Sequence, residues 1–389
     1  MGGVPKSISK RHLLCRGLLA LAVGPILPSP ARAQSSTGAP EYIPTSAEND
    51  ALREEALAFM RRYSVPGLAV AISYHGRLVY TDAFGLADAT TGERLTRAQR
   101  FRVASASKPV TSAAIFSLVE EGRLQLSQRV FGTEGALGND FGPFNPVSRI
   151  EDVTVEHLLT HTAGGWSNDA NDPMFARPEL GHTELIAWTL RTHPLRAQPG
   201  TNFAYSNFGY CLLGRIIERV SSQPYEVYVR RAVLEPCGIT EMSIAGNTLA
   251  ERQPNEVRYH PVGSGSPYSM NVRRMDSHGG WIARPEDLVR FATHVDGFSP
   301  ASLLKPITIR AMITPSSANP RYAKGWLVNS AGNWWHNGSL PGTTSILVRT
   351  SSYLCWAAVT NIGGGDSPIG AALDRLMWAM VGKVPRWMA

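Results

Sequence analysis

The β-rich segments of this chain lie near its two ends, and the long stretch between them has the periodicity of helices. Near the start, residues 68–74 and 77–84 have the composition of strands, and His75-Gly76 between them predicts a hairpin. Near the end, four further runs predict strands, at residues 322–328, 334–335, 345–349 and 354–361. The simplest architecture is therefore an α/β domain made from both ends of the chain, with a helical region inserted.

Helical patterns account for much of the remaining chain. Apolar residues recur at helical spacing in residues 47–62, which open the domain, and in residues 369–381, which close it. The middle of the chain carries five such segments, at residues 108–121, 154–161, 183–190, 206–220 and 224–234. We predict that residues 34–120 and 275–389 form the α/β domain and that residues 121–274 form a mainly helical insert.

The positive charge of the chain is concentrated at its start. The formal net charge is +7, but residues 1–33 contain five Lys or Arg and no Asp or Glu, which leaves +7 − 5 = +2 for the remainder. The other basic residues are mixed with acidic ones. This distribution argues against the basic surface that nucleic-acid binding requires, so we predict no nucleic-acid partner.

The first 33 residues also have the three parts of a secretory signal peptide. A basic start precedes an apolar stretch at residues 18–27, and Ala31-Arg32-Ala33 fits a small-residue cleavage site. The apolar stretch is shorter than the roughly 20 residues that span a bilayer, and no later stretch qualifies, so we predict no stable membrane span. We expect cleavage near Ala33 and a periplasmic or secreted protein, with an uncleaved membrane anchor as the alternative.

Three cysteines remain once the predicted signal peptide, with Cys15, is removed. Cys211, Cys237 and Cys355 all lie in apolar sequence, and their odd number argues against a framework of disulfides. Buried, inert thiols are the favoured interpretation. One disulfide bond among the three stays open, because the sequence does not assign it.

A serine and a lysine three residues apart are the first candidates for catalysis. The chain has no G-x-S-x-G nucleophile motif, but S-x-x-K begins at Ser7, Ser105 and Ser302. Residues three apart on a helix share a face, which places a hydroxyl beside an amine. Ser7 belongs to the leader and Pro306 cuts off the third motif, whereas Ser105 begins about four turns of apolar helix. Ser105 is therefore the candidate nucleophile, and a plain helix N-cap is the alternative.

Lys108 is the candidate general base beside this serine. Backbone N–H groups at a helix start carry positive partial charge, and burial also disfavours a charged amine, so both effects lower the pKa of the lysine. A neutral amine near pH 7 could accept the hydroxyl proton of Ser105. The motif alone is a weak signal, because so short a pattern also arises by chance.

Two later segments offer groups that could complete such a site. Tyr205 and Asn207 are two residues apart in an extended stretch, so their side chains point to the same side and offer a phenol and an amide. His336, Gly338 and Ser339 follow a strand-like segment, and the glycine permits a close backbone approach. Taken alone, this histidine has the alternative of a structural role with satisfied hydrogen bonds.

The three segments, in this order and with wide gaps, resemble the signature elements of the serine penicillin-recognising family. Its members include class C β-lactamases, D-alanyl-D-alanine carboxypeptidases, D-aminopeptidases and related esterases. The elements are residues 105–108 (Ser-Ala-Ser-Lys), 205–207 (Tyr-Ser-Asn) and 336–338 (His-Asn-Gly), and similar flanks lie at 101–104, 155–162, 279–281 and 285–288. The resemblance, from about residue 47 to the C-terminus, implies a β-lactamase-like (transpeptidase-like) α/β fold with an antiparallel sheet flanked by helices.

The resemblance also implies a mechanism for the matching residues. Ser105 would attack a carbonyl, Lys108 would take its proton, and Tyr205 would relay a proton to the leaving group. Water would then release the acyl-enzyme. No cofactor or metal is predicted: His157 and His161 have i, i+4 spacing, but the carboxylate of an H-E-x-x-H motif is missing, and we interpret the pair as scaffold.

On the binding side, Asn207 would orient the acyl group of a small-molecule or short-peptide substrate. The backbone N–H groups of Ser105 and Ser339 would form the oxyanion hole, next to Gly338. His336 departs from the lysine with which many β-lactamases begin this element. An imidazole that loses its charge anchors a carboxylate weakly, so we expect turnover of an anionic substrate to fall relative to a neutral ester as the pH rises from 5 to 8.

Several functions remain compatible with these motifs. A secreted serine acyl hydrolase would turn over small amides, peptides (including those with D-amino acids) or esters. A penicillin-binding-like protein would acylate or bind a ligand without efficient turnover, and a carboxylesterase without peptidase activity is a third alternative. All of them retain Ser105 and Lys108. In each, Arg284 or Arg349 could supply the positive charge that His336 lacks.

Overall fold

The computed structural model of the chain describes residues 42–144, 146–169, 171–263, 265–298, 302–364 and 367–387. The predicted signal peptide, its cleavage site at Ala33 and Cys15 lie outside these residues. Within the described ranges, no helix has both the length and the apolar character needed to cross a membrane.

Ten α-helices and twelve strands make up the described part of the chain. The first half contains α1 (Ser46–Tyr63), β1 (Gly67–Tyr74), β2 (Arg77–Asp88), β3 (Glu93–Arg94), β4 (Phe101–Arg102), α2 (Lys108–Glu120), α3 (Val155–Leu159), α4 (Pro173–Ala176) and α5 (His182–Thr192). The second half contains α6 (Asn207–Ser221), α7 (Tyr225–Val229), β5 (Ser243–Ile244), β6 (His260–Pro261), β7 (Trp281–Ala283), α8 (Pro285–Val295), α9 (Pro306–Ile313), β8 (Leu327–Val328), β9 (Trp334–Leu340), β10 (Thr343–Arg349), β11 (Leu354–Thr360), β12 (Ile362–Gly363) and α10 (Ile369–Gly382).

A seven-stranded sheet unites the two ends of the chain. Its strand order is β3-β2-β1-β11-β10-β9-β8, and every neighbouring pair is antiparallel. At its centre, β1 pairs with β11, with Leu68 opposite Thr360 and Tyr74 opposite Leu354. Both central strands are buried along their full length, because helices cover both faces. The predicted antiparallel sheet made from both ends of the chain is confirmed.

The two faces of this sheet pack against different helices. On one face, Val70 and Ile72 of β1 share a hydrophobic core with α1 and α10. On the other face, Ala69 and Ala71 belong to the core that includes residues of α2, α6 and α8. Alternate residues of a strand point to opposite faces, so the small side chains of Ala69 and Ala71 lie on the same face of β1. Their small size lets α8 approach the sheet closely on this face.

Several predicted elements are shorter than the sequence indicated. The helix predicted over residues 154–161 is the shorter α3, because His161 takes a left-handed φ of 58°. Of the helix predicted over residues 224–234, only α7 is α-helical. The residues that follow, Arg230–Leu234, form a π-helical turn. Of residues 322–328, only the last two form a strand, β8.

Between residues 121 and 274, most of the regular secondary structure of the described residues is helical (α3 to α7), but more of these residues lie in loops and turns than in helices. Short strands join this region to the rest: β5 pairs with β7, which also pairs with β4, and β6 pairs in parallel with β12. From Tyr42 onward the chain clusters into one unit. The division of the chain at residues 120/121 and 274/275 stays a prediction.

The three described cysteines are free and buried. Burial raises the pKa of Cys211 and of Cys237 to about 12, and it also raises the pKa of Cys355. Thiols with such pKa values stay protonated and unreactive at neutral pH. The predicted burial of the three described thiols is confirmed, and no disulfide joins them.

Candidate active site

Ser105 lies on a short 3₁₀ turn, Ala104–Ser107, between β4 and α2. Side chains three residues apart in such a turn eclipse one another, and the Lys108 Nζ lies 3.1 Å from the Ser105 Oγ. Because α2 begins at Lys108 with Ser107 at its N-cap position, Ser105 is not the N-cap of this helix. Ser105 is partly exposed, whereas the residues on either side of it are buried. The turn therefore presents one hydroxyl beside one amine.

Lys108 is fully buried, and its amine has three oxygen partners. Besides the Ser105 hydroxyl, it donates to the Asn207 Oδ1 at 2.8 Å and to the backbone carbonyl oxygen of His278 at 3.0 Å. Burial lowers the pKa of Lys108 from 10.5 to about 7, although the charge of Asp172 opposes this shift. A substantial fraction of the amine is therefore neutral at pH 7, as predicted from burial.

The partners of the amine also set the direction of its lone pair. A neutral amine has two hydrogens and one lone pair, and a carbonyl oxygen can only accept a hydrogen bond. The carbonyl oxygens of Asn207 and His278 take the two hydrogens of Lys108, which leaves the lone pair for the third partner. That partner is the Ser105 hydroxyl, so the geometry suits transfer of its proton to Lys108.

Tyr205 is the second proton-carrying group of the site. Its phenol interacts with the side chain of Ser105, and its ring centroid lies 4.8 Å from the Lys108 Nζ. Burial raises the pKa of Tyr205 above its ordinary value of 10. The phenol therefore keeps its proton at neutral pH and can donate it to a neighbouring oxygen or nitrogen.

Asn207 is the first residue of α6, two positions after Tyr205. The Ser206 hydroxyl at the N-cap accepts from the Gly209 N–H at 2.9 Å, which fixes the start of the helix. The Asn207 Nδ2 donates to the Asp172 Oδ2 at 2.7 Å, so both ends of its amide are engaged. The sequence predicted that Asn207 orients an acyl group, and the second Nδ2 hydrogen leaves a donor for that role.

The third predicted element lies on β9. His336 and Gly338 point inward and Ser339 is exposed. A Cβ atom on Gly338 would lie 2.1 Å from the carbonyl oxygen of Val103, so glycine is required where β9 packs against the serine turn. Since β8 reaches only as far as Trp335, the rest of β9 has one edge that no described strand covers. The predicted contribution of the Ser339 N–H to an oxyanion hole stays a prediction.

His336 is buried beside Tyr205, with 6.2 Å between the ring centroids. Its Nδ1 donates to the carbonyl oxygen of Asn337 at 2.7 Å, so its Nε2 accepts from the Tyr322 hydroxyl at 3.2 Å. Burial lowers the pKa of His336 from 6.5 to about 3, and the nearby Lys108 contributes to the shift. The imidazole is therefore already neutral at pH 5. The expectation that it loses its charge between pH 5 and 8 is wrong, because that expectation used the pKa of an exposed histidine.

The two arginines proposed as substitutes for this charge are engaged elsewhere. Arg284 forms hydrogen bonds of 2.9 and 2.8 Å to both carboxylate oxygens of Asp287 at the start of α8. Arg349 is buried 3.8 Å from Asp296, with its guanidinium 4.4 Å from the centroid of the Trp334 ring. Both positive charges are therefore paired with carboxylates.

We expect a neutral and an anionic substrate to show the same pH profile between pH 5.5 and 8. The reason is that the charge of His336 does not change in this range. The measurement is kcat/KM for two p-nitrophenyl esters of equal length, one with a neutral acyl chain and one ending in a carboxylate. A step in their ratio between pH 6 and 7 that disappears in His336→Gln would contradict the neutral imidazole.

Several residues around the site were not singled out from the sequence. They are Asp172, Tyr210, His278 and Tyr322. Asp172 belongs to no recognisable sequence motif. His278 contributes only its backbone carbonyl oxygen, and a pattern of side-chain types cannot reveal a backbone contact. Nothing in the local sequence distinguishes the two tyrosines from ordinary core residues.

The two histidines with i, i+4 spacing have different surroundings. The Nδ1 of His157 accepts from the Thr154 N–H at 3.2 Å and caps α3. His161 is buried under the Tyr205 ring, 4.2 Å between centroids, and its Nδ1 accepts from the Ser206 N–H at 3.0 Å. Within the described ranges, no group of three or more His, Cys, Asp or Glu side chains could hold a metal ion.

Known proteins resemble this chain in sequence. A protein-family model described as Beta-lactamase matches residues 52–376. Protein flp of Staphylococcus aureus (strain MRSA252) is 22% identical over 300 residues, which cover 74% of this chain and 58% of that protein. Esterase EstB of Burkholderia gladioli is 29% identical over 245 residues, 59% of this chain and 57% of the esterase. The chain thus spans little more than half the length of these curated relatives.

Solved structures share the fold. The D-amino acid amidase from Ochrobactrum anthropi SV3, complexed with L-phenylalanine amide, superposes with a TM-score of 0.73 at 21% sequence identity. The match covers 88% of this chain and 100% of the amidase. At this identity the likeness establishes the antiparallel sheet with its flanking helices.

Proposed function

Because the chain belongs to the β-lactamase family, we propose that it is a secreted serine acyl hydrolase that acts through an acyl-enzyme on small amide, peptide or ester substrates. The observation that carries this proposal is the buried amine of Lys108, 3.1 Å from the partly exposed hydroxyl of Ser105. A lysine whose pKa is lowered to about 7 is suited to act as a base at neutral pH.

In the first half of the proposed reaction, the Ser105 Oγ bonds to the substrate carbonyl carbon while its proton passes to Lys108. The carbonyl oxygen becomes an oxyanion, which the backbone N–H groups of Ser105 and Ser339 stabilise. Tyr205, whose phenol interacts with the same serine, relays this proton from Lys108 to the leaving amine or alcohol. The bond to the leaving group then breaks, and the acyl group stays on Ser105.

In the second half, a water molecule attacks the ester carbonyl of the acyl-enzyme. The proton of this water passes to the neutral amine of Lys108, either directly or through Tyr205, which gives up its own proton as it takes the new one. Lys108 then returns a proton to the Ser105 oxygen as that oxygen leaves. The acid is released and the free enzyme is restored. The support for these proton transfers is the 3.1 Å distance between the Lys108 Nζ and the Ser105 Oγ and the interaction of the Tyr205 phenol with the same serine.

The charges of the site favour substrates without a carboxylate. His336 is neutral, and Arg284 and Arg349 are paired with carboxylates of their own. We therefore propose neutral acyl groups, held by the free Nδ2 hydrogen of Asn207, as the preferred substrates. The relative named as an esterase supports the ester class. The His336-Asn337-Gly338 motif resembles that of D-amino-acid-handling peptidases and some esterases, which supports the amide and D-amino-acid classes.

We further propose that the protein acts outside the cytoplasm. The support is the sequence of residues 1–33, which have the basic start, apolar stretch and small-residue end of a signal peptide. Amino-terminal sequencing of the protein recovered from a periplasmic or culture fraction tests this proposal. A mature chain that still begins at Met1 in the membrane fraction would favour the uncleaved anchor.

A time course with an excess of a neutral p-nitrophenyl ester tests the hydrolase against a penicillin-binding-like protein. Sustained release of p-nitrophenol, far beyond one equivalent, supports the hydrolase. A burst of one equivalent that then stops, with an acyl adduct on the peptide containing Ser105, supports the binding protein. Release of neither kind would contradict both. A parallel panel of D-aminoacyl amides, acyl-D-Ala-D-Ala and short esters separates a peptidase from a pure carboxylesterase.

We expect kcat/KM for a neutral ester to rise with pH and to level off above about pH 7. The base must be neutral to accept a proton, and the pKa of Lys108 is lowered to about 7. Below that value, kcat/KM should fall about tenfold for each pH unit. The measurement is a profile from pH 5 to 9, corrected for spontaneous hydrolysis. A profile that keeps rising to pH 9 would assign the base a nearly normal lysine pKa and contradict the prediction.

A further inference from the structure

Lys108 is linked through Asn207 to a buried carboxylate that no motif contains. The Lys108 Nζ lies 2.8 Å from the Asn207 Oδ1, and the Asn207 Nδ2 lies 2.7 Å from the Asp172 Oδ2. Asp172 is only 4% exposed. The three side chains form a continuous chain of hydrogen bonds that ends at the base.

The carboxylate of Asp172 can only accept hydrogen bonds while it is ionised. Its second oxygen, Oδ1, accepts from the Met174 N–H at 3.0 Å and caps α4. An amide that faces Asp172 must therefore present its NH₂ group, which turns the amide oxygen toward Lys108. Without this carboxylate, the Asn207 amide could rotate by 180° and offer NH₂ to the lone pair of the amine.

The segment that carries Asp172 is itself held in place. Arg274 is buried, with 3% exposure, and its guanidinium donates to the carbonyl oxygens of Met174 at 2.7 Å and of Arg177 at 2.6 Å. The guanidinium also donates to the Leu180 carbonyl oxygen. These bonds fix the chain just after Asp172, so the position of its carboxylate is set by the fold.

We propose that Asp172 is a positioning residue for the proposed reaction: it holds the Asn207 amide with its oxygen on Lys108 and so aims the lone pair of the amine at Ser105. This inference rests on the proposed function, because it assigns to Asp172 the task of orienting Lys108, the base of the proposed reaction. Asp172 need not touch the substrate, since it acts through Asn207.

The charges around the amine make this proposal measurable. The groups that face Lys108 are Asp172, His161, His278, His336, Tyr205 and Tyr210. The pKa of each of these histidines is lowered by burial, and that of each of these tyrosines is raised, so at neutral pH they carry no charge. Of these groups, Asp172 is the one whose charge raises the pKa of Lys108. Asp169 and Arg274 are not among the groups that face Lys108, but their charges interact with that of Asp172.

Asp172→Asn replaces the carboxylate by an amide of the same shape and tests both effects. The loss of negative charge lowers the pKa of Lys108 further, so the acid limb of kcat/KM should move to lower pH by about one unit. The Asn207 amide is no longer held in one orientation, so kcat on the plateau should fall about 10- to 100-fold. Asp172→Ser keeps an acceptor for the cap of α4 and should show the same two changes.

The control is Asp169→Asn, which removes an exposed carboxylate from the same loop without contact to Asn207. Asp169→Asn should keep the wild-type kcat on the plateau. Its acid limb of kcat/KM should lie within about 0.2 pH units of the wild-type limb. A purely structural role for Asp172 would lower the plateau and leave the limb unmoved, which would overturn the proposal. A plateau within twofold of wild type would also overturn it.

A measurement without turnover separates this inference from the proposed function. In protein labelled with ¹³C at lysine Cε, NMR titration reports the pKa of Lys108 directly, with Lys108→Met to assign the signal. If the wild type hydrolyses no substrate, the proposed function fails, but a lower pKa of Lys108 in Asp172→Asn still supports the coupling. An unchanged pKa of Lys108 in a folded Asp172→Asn variant overturns the coupling even if the enzyme is active.

Discussion

Ser105→Ala should lose sustained ester turnover by about 10⁴- to 10⁶-fold, with its fold intact. The substitution removes the oxygen that forms the acyl-enzyme, and among the described residues the Lys108 amine has no second hydroxyl as a partner. The residual rate would come from binding and from backbone N–H groups alone. The measurement is the steady-state release of p-nitrophenol, together with intact-mass analysis for the acyl adduct.

The same turn supplies a matched control. Ser107 lies two residues further on, is fully buried, and its hydroxyl has no hydrogen-bond partner among the described residues. Ser107→Ala therefore removes a hydroxyl from the same turn without touching the amine, and should keep activity within a few-fold of wild type. Activity that is retained in Ser105→Ala and lost in Ser107→Ala would refute the assignment of the nucleophile.

Lys108→Met should lower kcat/KM at pH 8 by about 10²- to 10⁴-fold. Methionine fills nearly the same volume, but it offers no lone pair that could take the proton of Ser105. Lys324→Met is the control for the loss of a buried lysine, because the Lys324 amine pairs with Glu156 at 3.0 Å and not with Ser105. Near-normal activity of Lys108→Met would show that another group is the base.

The same substitution should change how stability depends on pH. The pKa of Lys108 is about 7 in the folded protein and 10.5 as its ordinary value, so the unfolded chain binds this proton more tightly. Between these two pH values the unfolded state holds more protons, and the wild type gains stability as the pH rises. Relative to Lys108→Met, its free energy of unfolding should increase by about 2.5 kcal/mol from pH 6.5 to pH 9.

Urea denaturation of both proteins at the two pH values measures this difference. The comparison cancels the titration of groups that the two proteins share. Parallel pH dependence in wild type and variant would show that the amine is not held in a desolvated position. The stability test is independent of any substrate.

The parts of this site that follow local rules could be predicted from sequence. Ser105 and Lys108 are three residues apart, and a single turn is enough to bring them together. Tyr205 and the β9 residues lie about 100 and 230 positions further on, so only the order of the motifs and their resemblance to a family associated them with this serine. The central sheet was predictable for a similar reason, because alternating and β-branched residues mark strands wherever they lie.

Other features escaped because they depend on distant neighbours. Asp172 is one acidic residue in a loop, and its importance arises from a bond to Asn207, 35 residues away. From the sequence alone, the expected pKa of His336 is the ordinary histidine value of 6.5. Its burial and its proximity to Lys108, which lower that pKa, are visible only in the folded protein. No local pattern contains either piece of information.

The amino-acid sequence by itself indicated the strands at the centre of the sheet and several of the longer helices, and it determined which hydroxyl, amine and phenol are available for chemistry. Both follow from short-range spacing and side-chain type. Only the tertiary structure decided that the Lys108 amine is desolvated, that its two hydrogens meet the carbonyl oxygens of Asn207 and His278, and that Asp172 completes this chain. The physical reason is that a pKa and a lone-pair direction depend on the solvent and dipoles within a few ångströms, and folding brings those groups from distant parts of the chain.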